Sequence, residues 1–317
     1  MSVIQPAQTN LVLDPTFAKA ETERAFGPQL KMARELVEES VGLFQRAFTT
    51  AKRDMSDLVV LGVFYRQVVA MFDSAVLSLE NGACYASLVP IRALWEAGIS
   101  IKWILERGKD HYTRQFYVAF LRNQRSWASN LIPGSPEHVA WQEARRLSGK
   151  PPEPDPPSDK IASAQETVAT ANRILATDKY REMDAKFEKL GIPPGHDTAW
   201  TKPDPGSVHG LARELGYLDE YRQLYRYLSY PTHGSLMTAH LNFEGDTVNI
   251  EHIRSPDGFK IAFELGVTFA LRSYLQIQDE YRYGERADFG KRYVERWQRN
   301  FRSVPGMTIT TEYVRMP

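Results

Sequence analysis

Apolar residues recur at helical spacing along most of this chain, and proline, glycine and capping residues punctuate the runs. Asp14-Pro15 reads as an N-cap with proline at the first helical position. It opens a run to about Lys52 that should break at Gly27-Pro28. Ser56 or Asp57 opens a second helix, ended by the left-handed stop Asn81-Gly82. Residues 83–107 form a third, closed by Gly108, and Asp110 caps a fourth that reaches Leu131. A shorter helix starts at Ser135-Pro136-Glu137 and stops at Ser148-Gly149. The proline-rich stretch 150–157 can be neither helix nor central strand and reads as an exposed loop. Helical spacing resumes over 159–190, 207–215, 218–230, 233–243, 259–283 and 286–302, with a loop around Trp200. The alternation Thr247-Val-Asn-Ile-Glu-His-Ile253, between Gly245-Asp246 and Asp257-Gly258, predicts a short β-hairpin near 245–260. The tail from Met307 to Val314 is β-branched and reads as extended.

The pattern predicts a mainly α protein, a multi-helix bundle. Its parts are an N-terminal helical extension (1–56), a helical core domain (57–283) and a C-terminal helix with its tail (284–317). The 317 residues are 43% hydrophobic and 25% charged, ample for a core. Lys+Arg and Asp+Glu are both 39, so nucleic-acid contact would have to use a local patch. Cys84 is the only cysteine, which excludes an intrachain disulfide and a cysteine-built zinc site and fits a reducing compartment. The N-terminus lacks a signal pattern, and the longest apolar run, Leu58 to Phe64, is too short to span a bilayer. A cytoplasmic protein without a membrane partner is expected.

The third helix carries apolar residues on nearly every side, as a central helix does. Arg92 and Glu96 nevertheless sit in it one turn apart, where they can face each other. Burying both costs several kcal/mol per ion unless they are paired and hydrogen-bonded, so a polar partner segment is required. Residues 221–235 supply one, with Tyr225, Arg226, Ser229 and His233. On a helix, Arg226 and His233 are ~700° apart, which is only ~20° off alignment. Pro231 should stop or kink that helix, with Thr232 capping a new one and His233 in its first turn. The positive dipole end would then hold the imidazole neutral, fit for a general base. Arg226 could grip a phosphate through a forked pair of hydrogen bonds. The same residues could equally form a structural polar network or a pocket for a small ligand.

Two resemblances follow from these residues. Val89-Pro-Ile-Arg-Ala-Leu-Trp-Glu-Ala-Gly98 is one half of the first. Trp200, Val208-His-Gly-Leu-Ala-Arg-Glu-Leu-Gly216 and Tyr221-x3-Tyr225-x2-Leu228-Ser229-x3-His233-Gly-Ser235 are the other. Over roughly 57–280 the chain resembles the bacterial domain-of-unknown-function family 5677, which implies a mostly helical domain and no assigned activity. More loosely, Arg226-x6-His233 resembles the HEPN superfamily, helical bundles that include metal-independent ribonucleases of defence and toxin–antitoxin systems. That resemblance implies that Arg226 binds the scissile phosphate and His233 moves protons as the RNA 2′-hydroxyl attacks. Arg92, Glu96, Tyr225 and Ser229 would support them, and a homodimer and an antitoxin or regulatory partner would be in keeping. Tyr227, where that superfamily usually has a small polar residue, and Pro231 depart from its pattern.

No metal or cofactor is expected. His233 and His240 would stand ~10.5 Å apart along a continuous helix, too far for one ion. Glycine-rich nucleotide loops, a nucleophile elbow and a His-Glu-x-x-His motif are missing. The C-terminal helix mixes Arg286, Lys291, Arg296, Arg299 and Arg302 with Tyr293, Trp297 and Phe301. Its basic and aromatic residues could grip single-stranded RNA, or simply form a solvated amphipathic face.

Overall fold

The computed structural model describes residues 13–49, 55–194, 199–233, 241–244, 247–250, 252–306 and 314–315, with His233 described by its backbone alone. In chain order its helices are α1 (Pro15–Phe48), α2 (Met55–Glu80), α3 (Cys84–Arg107), α4 (Lys109–Ser129), α5 (Pro136–Leu147), α6 (Ser158–Leu175) and α7 (Asp178–Lys189). They continue as α8 (Val208–Glu214), α9 (Leu218–Glu220), α10 (Arg226–His233), α11 (Phe259–Tyr281), α12 (Arg286–Arg292) and α13 (Gln298–Arg302). Strands β1 (Leu241–Glu244) and β2 (Thr247–Ile250) pair antiparallel from Leu241↔Ile250 to Glu244↔Thr247, and β3 (Val314–Arg315) pairs with β2. The mainly α expectation therefore holds.

Most helix signals act where the sequence puts them. The Asp14 carboxylate accepts from the Phe17 N–H at 2.9 Å, and the Ser135 hydroxyl caps α5 by accepting from the His138 N–H at 3.1 Å. Gly82, at φ 68°, ends α2, a left-handed turn that a Cβ would strain.

The break expected at Gly27-Pro28 is present, as a kink at Phe26 (φ −130°, ψ 15°) where two helical stretches of α1 meet. Pro28 removes one helical hydrogen bond. The Phe26 ring, stacked on Phe259 at 3.9 Å, anchors the bend in the core. Other expectations are corrected. Asp110 does not cap α4, whose N-cap is Gly108; it lies in the first turn, paired with Arg114. The run 159–190 is two helices, α6 and α7, divided at Ala176-Thr177. The hairpin lies at 241–250, its first strand taken from residues expected to be helical. Leu58–Glu80 of α2, unlike the seven-residue apolar run inside it, is long and apolar enough to cross a bilayer, and half of that window is buried within the protein.

The described residues fall into two compact units. The first draws on the described residues within 1–53, 61–102 and 216–317, the second on those within 54–60 and 103–215. In the first, Leu30 and Leu43 of α1, Leu61, Tyr65 and Phe72 of α2, Ile91 and Leu94 of α3, and Phe263 and Tyr274 of α11 are fully buried. Each such side chain contributes ~1.5–3 kcal/mol relative to exposure. α3 and α11 approach closely at Gly98, where an added Cβ would meet the Ser273 hydroxyl at 2.6 Å.

In the second unit α4 packs against α6 and α7. Buried Arg122 pairs with Asp184 at 2.7 Å across that contact. The Gln115 amide donates to the carbonyls of Trp200 and Asp204, both at 2.7 Å, and so ties down the loop before α8. The proline-rich stretch 150–157 is a loop inside this unit.

Candidate functional site

The site is built on one face of α3, where Arg92, Trp95 and Glu96 project together by their three- and four-residue spacing. Opposite it runs a single helical rod made of α9, a π-helical turn at Tyr221–Tyr225, and α10. Such turns insert one extra residue and recur at functional sites. Here the turn stacks Tyr221 on Tyr225 with centroids 4.6 Å apart, and the Trp95 ring lies 6.1 and 5.6 Å from the two.

Two charge networks flank these rings. In the first, the Arg92 Nε donates to Glu96 at 3.0 Å, one terminal nitrogen donates to the Thr232 hydroxyl at 3.2 Å, and the other donates to the Tyr225 hydroxyl. The guanidinium also lies 4.4 Å from the Tyr225 ring centre. Each nitrogen of Arg92 therefore makes a hydrogen bond. Burial works to lower its pKa, but Glu96 and Tyr225 outweigh it and the net shift is upward. The Tyr225 hydroxyl is also raised, by burial first and then by Glu96.

In the second network, Arg272 of α11 grips Glu220 of α9 with two parallel bonds of 2.8 Å, while the Trp95 indole N–H donates to the same carboxylate. The Tyr217 ring lies 4.8 Å from the Arg272 guanidinium. The bonds to Glu220 raise the Arg272 pKa against the opposing effect of burial. Each charge in the two networks has an opposite partner, as burial requires.

Of the residues the sequence singled out, Arg92, Glu96 and Tyr225 come together. Ser229 is buried on the same rod, with its hydroxyl turned back to the Tyr225 carbonyl. Arg226 is exposed, and among the described residues no hydrogen bond or ion pair engages it. Pro231 does not stop the helix: α10 runs through it to His233. Thr232 lies inside α10 and donates to the Ser229 carbonyl at 2.7 Å. His233 stands in the last turn of α10, so the argument from a positive helix end is lost. The unbroken helix preserves the near alignment of positions 226 and 233, ~20° apart and ~10.5 Å along the axis.

Sequence reasoning missed Glu220, Arg272, Tyr217 and the role of Trp95. Trp95 carried a signal, since it shares a helical face with Arg92 and its N–H needs a partner when buried. Nothing in sequence spacing connects Arg272 to Glu220.

The C-terminal helix, which could grip RNA or form a solvated amphipathic face, resolves into α12, a π-helical turn at Tyr293–Trp297, and α13. Phe289 and Trp297 are buried, and Phe301 lies beside Phe263, so these rings face the core while Arg296, Arg299 and Arg302 face outward. Among the described residues no three His, Cys, Asp or Glu side chains gather as metal ligands. His240 lies outside the described residues.

Fold and site define a mainly helical protein with a polar clamp in its first unit. The chain belongs to the family of unknown function DUF5677, whose model matches residues 58–249, more than half of its length. The match contains both faces of the clamp except Arg272. No curated protein and no solved structure matches the chain.

Proposed function

We propose that this protein is an HEPN-like, metal-independent ribonuclease, with Arg226 as the phosphate-binding residue and His233 as the proton-transfer residue. The observation that carries this reading is the unbroken α10. It keeps positions 226 and 233 on one helical face and leaves the Arg226 guanidinium exposed and without a partner among the described residues. An exposed, always-charged fork is the chemistry that receives a phosphodiester. In the reaction, the RNA 2′-oxygen attacks the adjacent phosphorus, a proton leaves the 2′-hydroxyl, and the 5′-oxygen departs with a proton. The products are a 2′,3′-cyclic phosphate and a 5′-hydroxyl. His233 handles these protons. Arg92, Glu96, Tyr225 and Ser229 act as positioning residues that hold the rod carrying α10.

A second reading has its own support. The two networks are complete within the protein, with all three Arg92 donor nitrogens and both Glu220 oxygens engaged. That completeness favours a non-enzymatic sensor or scaffold whose clamp fixes helix register. Expression in cells separates the two. The ribonuclease reading expects growth arrest and fragmented total RNA with wild type, relieved by His233→Ala. Normal growth and intact RNA with both proteins favour the scaffold.

A further inference from the structure

The outer face of α4 carries an apolar row that the fold leaves in water. Trp127 is 69% exposed, Phe120 and Leu131 are each 42% exposed, and Gln124 between them is exposed as well. Leu131 prolongs the last turn of α4, its N–H donating to the Ala128 carbonyl at 3.0 Å. The steps from Phe120 to Gln124, Trp127 and Leu131 are four, three and four residues, which is the spacing of a coiled-coil seam. At ~100° per residue the four lie within ~60° of one another on one helical face. The other side of α4 is already used: Val118, Leu121 and Ala128 are buried, and the helix packs against α6 and α7. A core-facing helix needs one apolar stripe, and α4 has two. The row belongs to the second unit and is independent of the ribonuclease reading, whose residues lie in the first.

The row matches itself. Positions 120 and 131 share a midpoint with positions 124 and 127. A second α4 laid antiparallel about a two-fold axis at that midpoint sets Phe120 against Leu131 of the second copy, and Gln124 against its Trp127. That self-complementarity is what an isologous interface requires. No like charges oppose the pairing. Arg122 and Arg125 are the only charged residues from 117 to 131. Arg122 is buried on Asp184, and Arg125 donates to the Asn172 side chain at 3.1 Å. The area is also adequate. A standard interface buries ~800 Å² on each partner, ~57% of it apolar. Taking ~150–250 Å² per aromatic side chain, the exposed parts of Phe120 and Trp127 amount to roughly 250 Å², over half of that apolar share before Leu131 is added. We propose that α4 is the interface of a reversible homodimer, in which two copies pack their Phe120–Leu131 seams antiparallel.

Sedimentation velocity of the full chain over ~1–500 µM tests this, since an interface of this size dissociates in the micromolar range. Monomer is expected at the lowest concentration and dimer at the highest. Trp127→Lys, which removes the largest contact and sets two like charges in the seam, should weaken the dimer about tenfold or more. Gln124→Leu, which makes the seam wholly apolar, should tighten it about threefold to tenfold. Tightening cannot come from unfolding, so this variant decides the matter if Trp127→Lys folds poorly. Cysteines test the register. The double variant Phe120→Cys, Leu131→Cys should form a disulfide-linked dimer on mild oxidation. Phe120→Cys alone should not, because antiparallel copies hold the two 120 positions ~16 Å apart. Cys84 is buried and does not compete. A chain that stays monomeric throughout would overturn the proposal. So would a dimer that Trp127→Lys does not weaken and Gln124→Leu does not tighten, or cross-linking of the single-cysteine variant as fast as that of the double.

Discussion

Removing the negative charge of Glu220 should loosen the clamp that orders the α9–α10 rod. Glu220 accepts two bonds from Arg272 and one from Trp95, and its side chain is 18% exposed against 26% for Arg272. Glu220→Gln keeps the shape but turns one acceptor into a donor that faces the guanidinium. Loss of a partner from a fully buried ion pair costs ~3–5 kcal/mol. About a fifth to a quarter of this pair remains in water, which reduces the expected cost to ~2–3 kcal/mol. Urea unfolding of wild type and variant measures it, as a lower midpoint at unchanged slope in the transition that reports the first unit. Arg272→Met should cost a similar amount. The double variant should cost clearly less than the two single costs added, a coupling of ~1.5 kcal/mol or more. Single costs below ~0.5 kcal/mol, or additivity within that margin, would refute the reasoning that the pair is a coupled structural unit.

Three further outcomes are expected. Gly98→Ala should destabilise the protein by ~1–3 kcal/mol despite the better helix propensity of alanine, because its Cβ meets the Ser273 hydroxyl at 2.6 Å; Ser273→Ala, which removes that oxygen, should restore most of the loss in thermal melts. Cys84 is 2% exposed and its thiol is pushed up to about 12, chiefly by burial and further by Asp257, so a thiol reagent at pH 8 should label it only at the rate of unfolding. The His111 imidazole is held below its ordinary 6.5 by burial first, then by Lys186 and Arg114. Its neutral form is favoured in the folded state, so its contribution to stability is intact above about pH 6.5 and is lost as pH falls toward its folded pKa. His111→Gln should flatten that part of the stability–pH curve, and NMR titration of the ring should give a midpoint below 6.5.

Much of the fold was legible because its signals are local. Asp14, Ser135, Gly82 and Gly108 act on their own neighbours, and the helices they bound appear within a few residues of the expected places. Errors arose where tertiary packing overrode a local rule. α10 passes through Pro231 while Arg92 holds Tyr225 and Thr232 on either side of it, whereas α1 does break beside Pro28, at Phe26, as the local rule expects. Leu241–Phe243 of β1 fit the helical spacing of 233–243, because so short a stretch does not distinguish the two periods, and only pairing with β2 makes it a strand.

The site divides in the same way. Arg92 and Glu96 stand out as charges in an apolar helix, which asks for a polar partner segment, and Tyr225 and Thr232 of 221–235 are the residues that meet Arg92. Glu220 and Arg272 sit in ordinary amphipathic surroundings, 52 residues apart, and only the folded chain brings them together. The π-helical turn at Tyr221–Tyr225 has no sequence signal in the 3.6-residue period, yet it sets the stacking on which both networks lean.

The central claim is that α10 presents Arg226 and His233 for RNA cleavage. Its most direct test is incubation of purified wild type, Arg226→Ala and His233→Ala with single-stranded RNA in excess chelator, followed by analysis of the product ends. The account predicts 2′,3′-cyclic phosphate and 5′-hydroxyl ends with wild type, and no cleavage by either variant while both melt like wild type. Intact RNA with wild type, or equal cleavage by a folded variant, would contradict it.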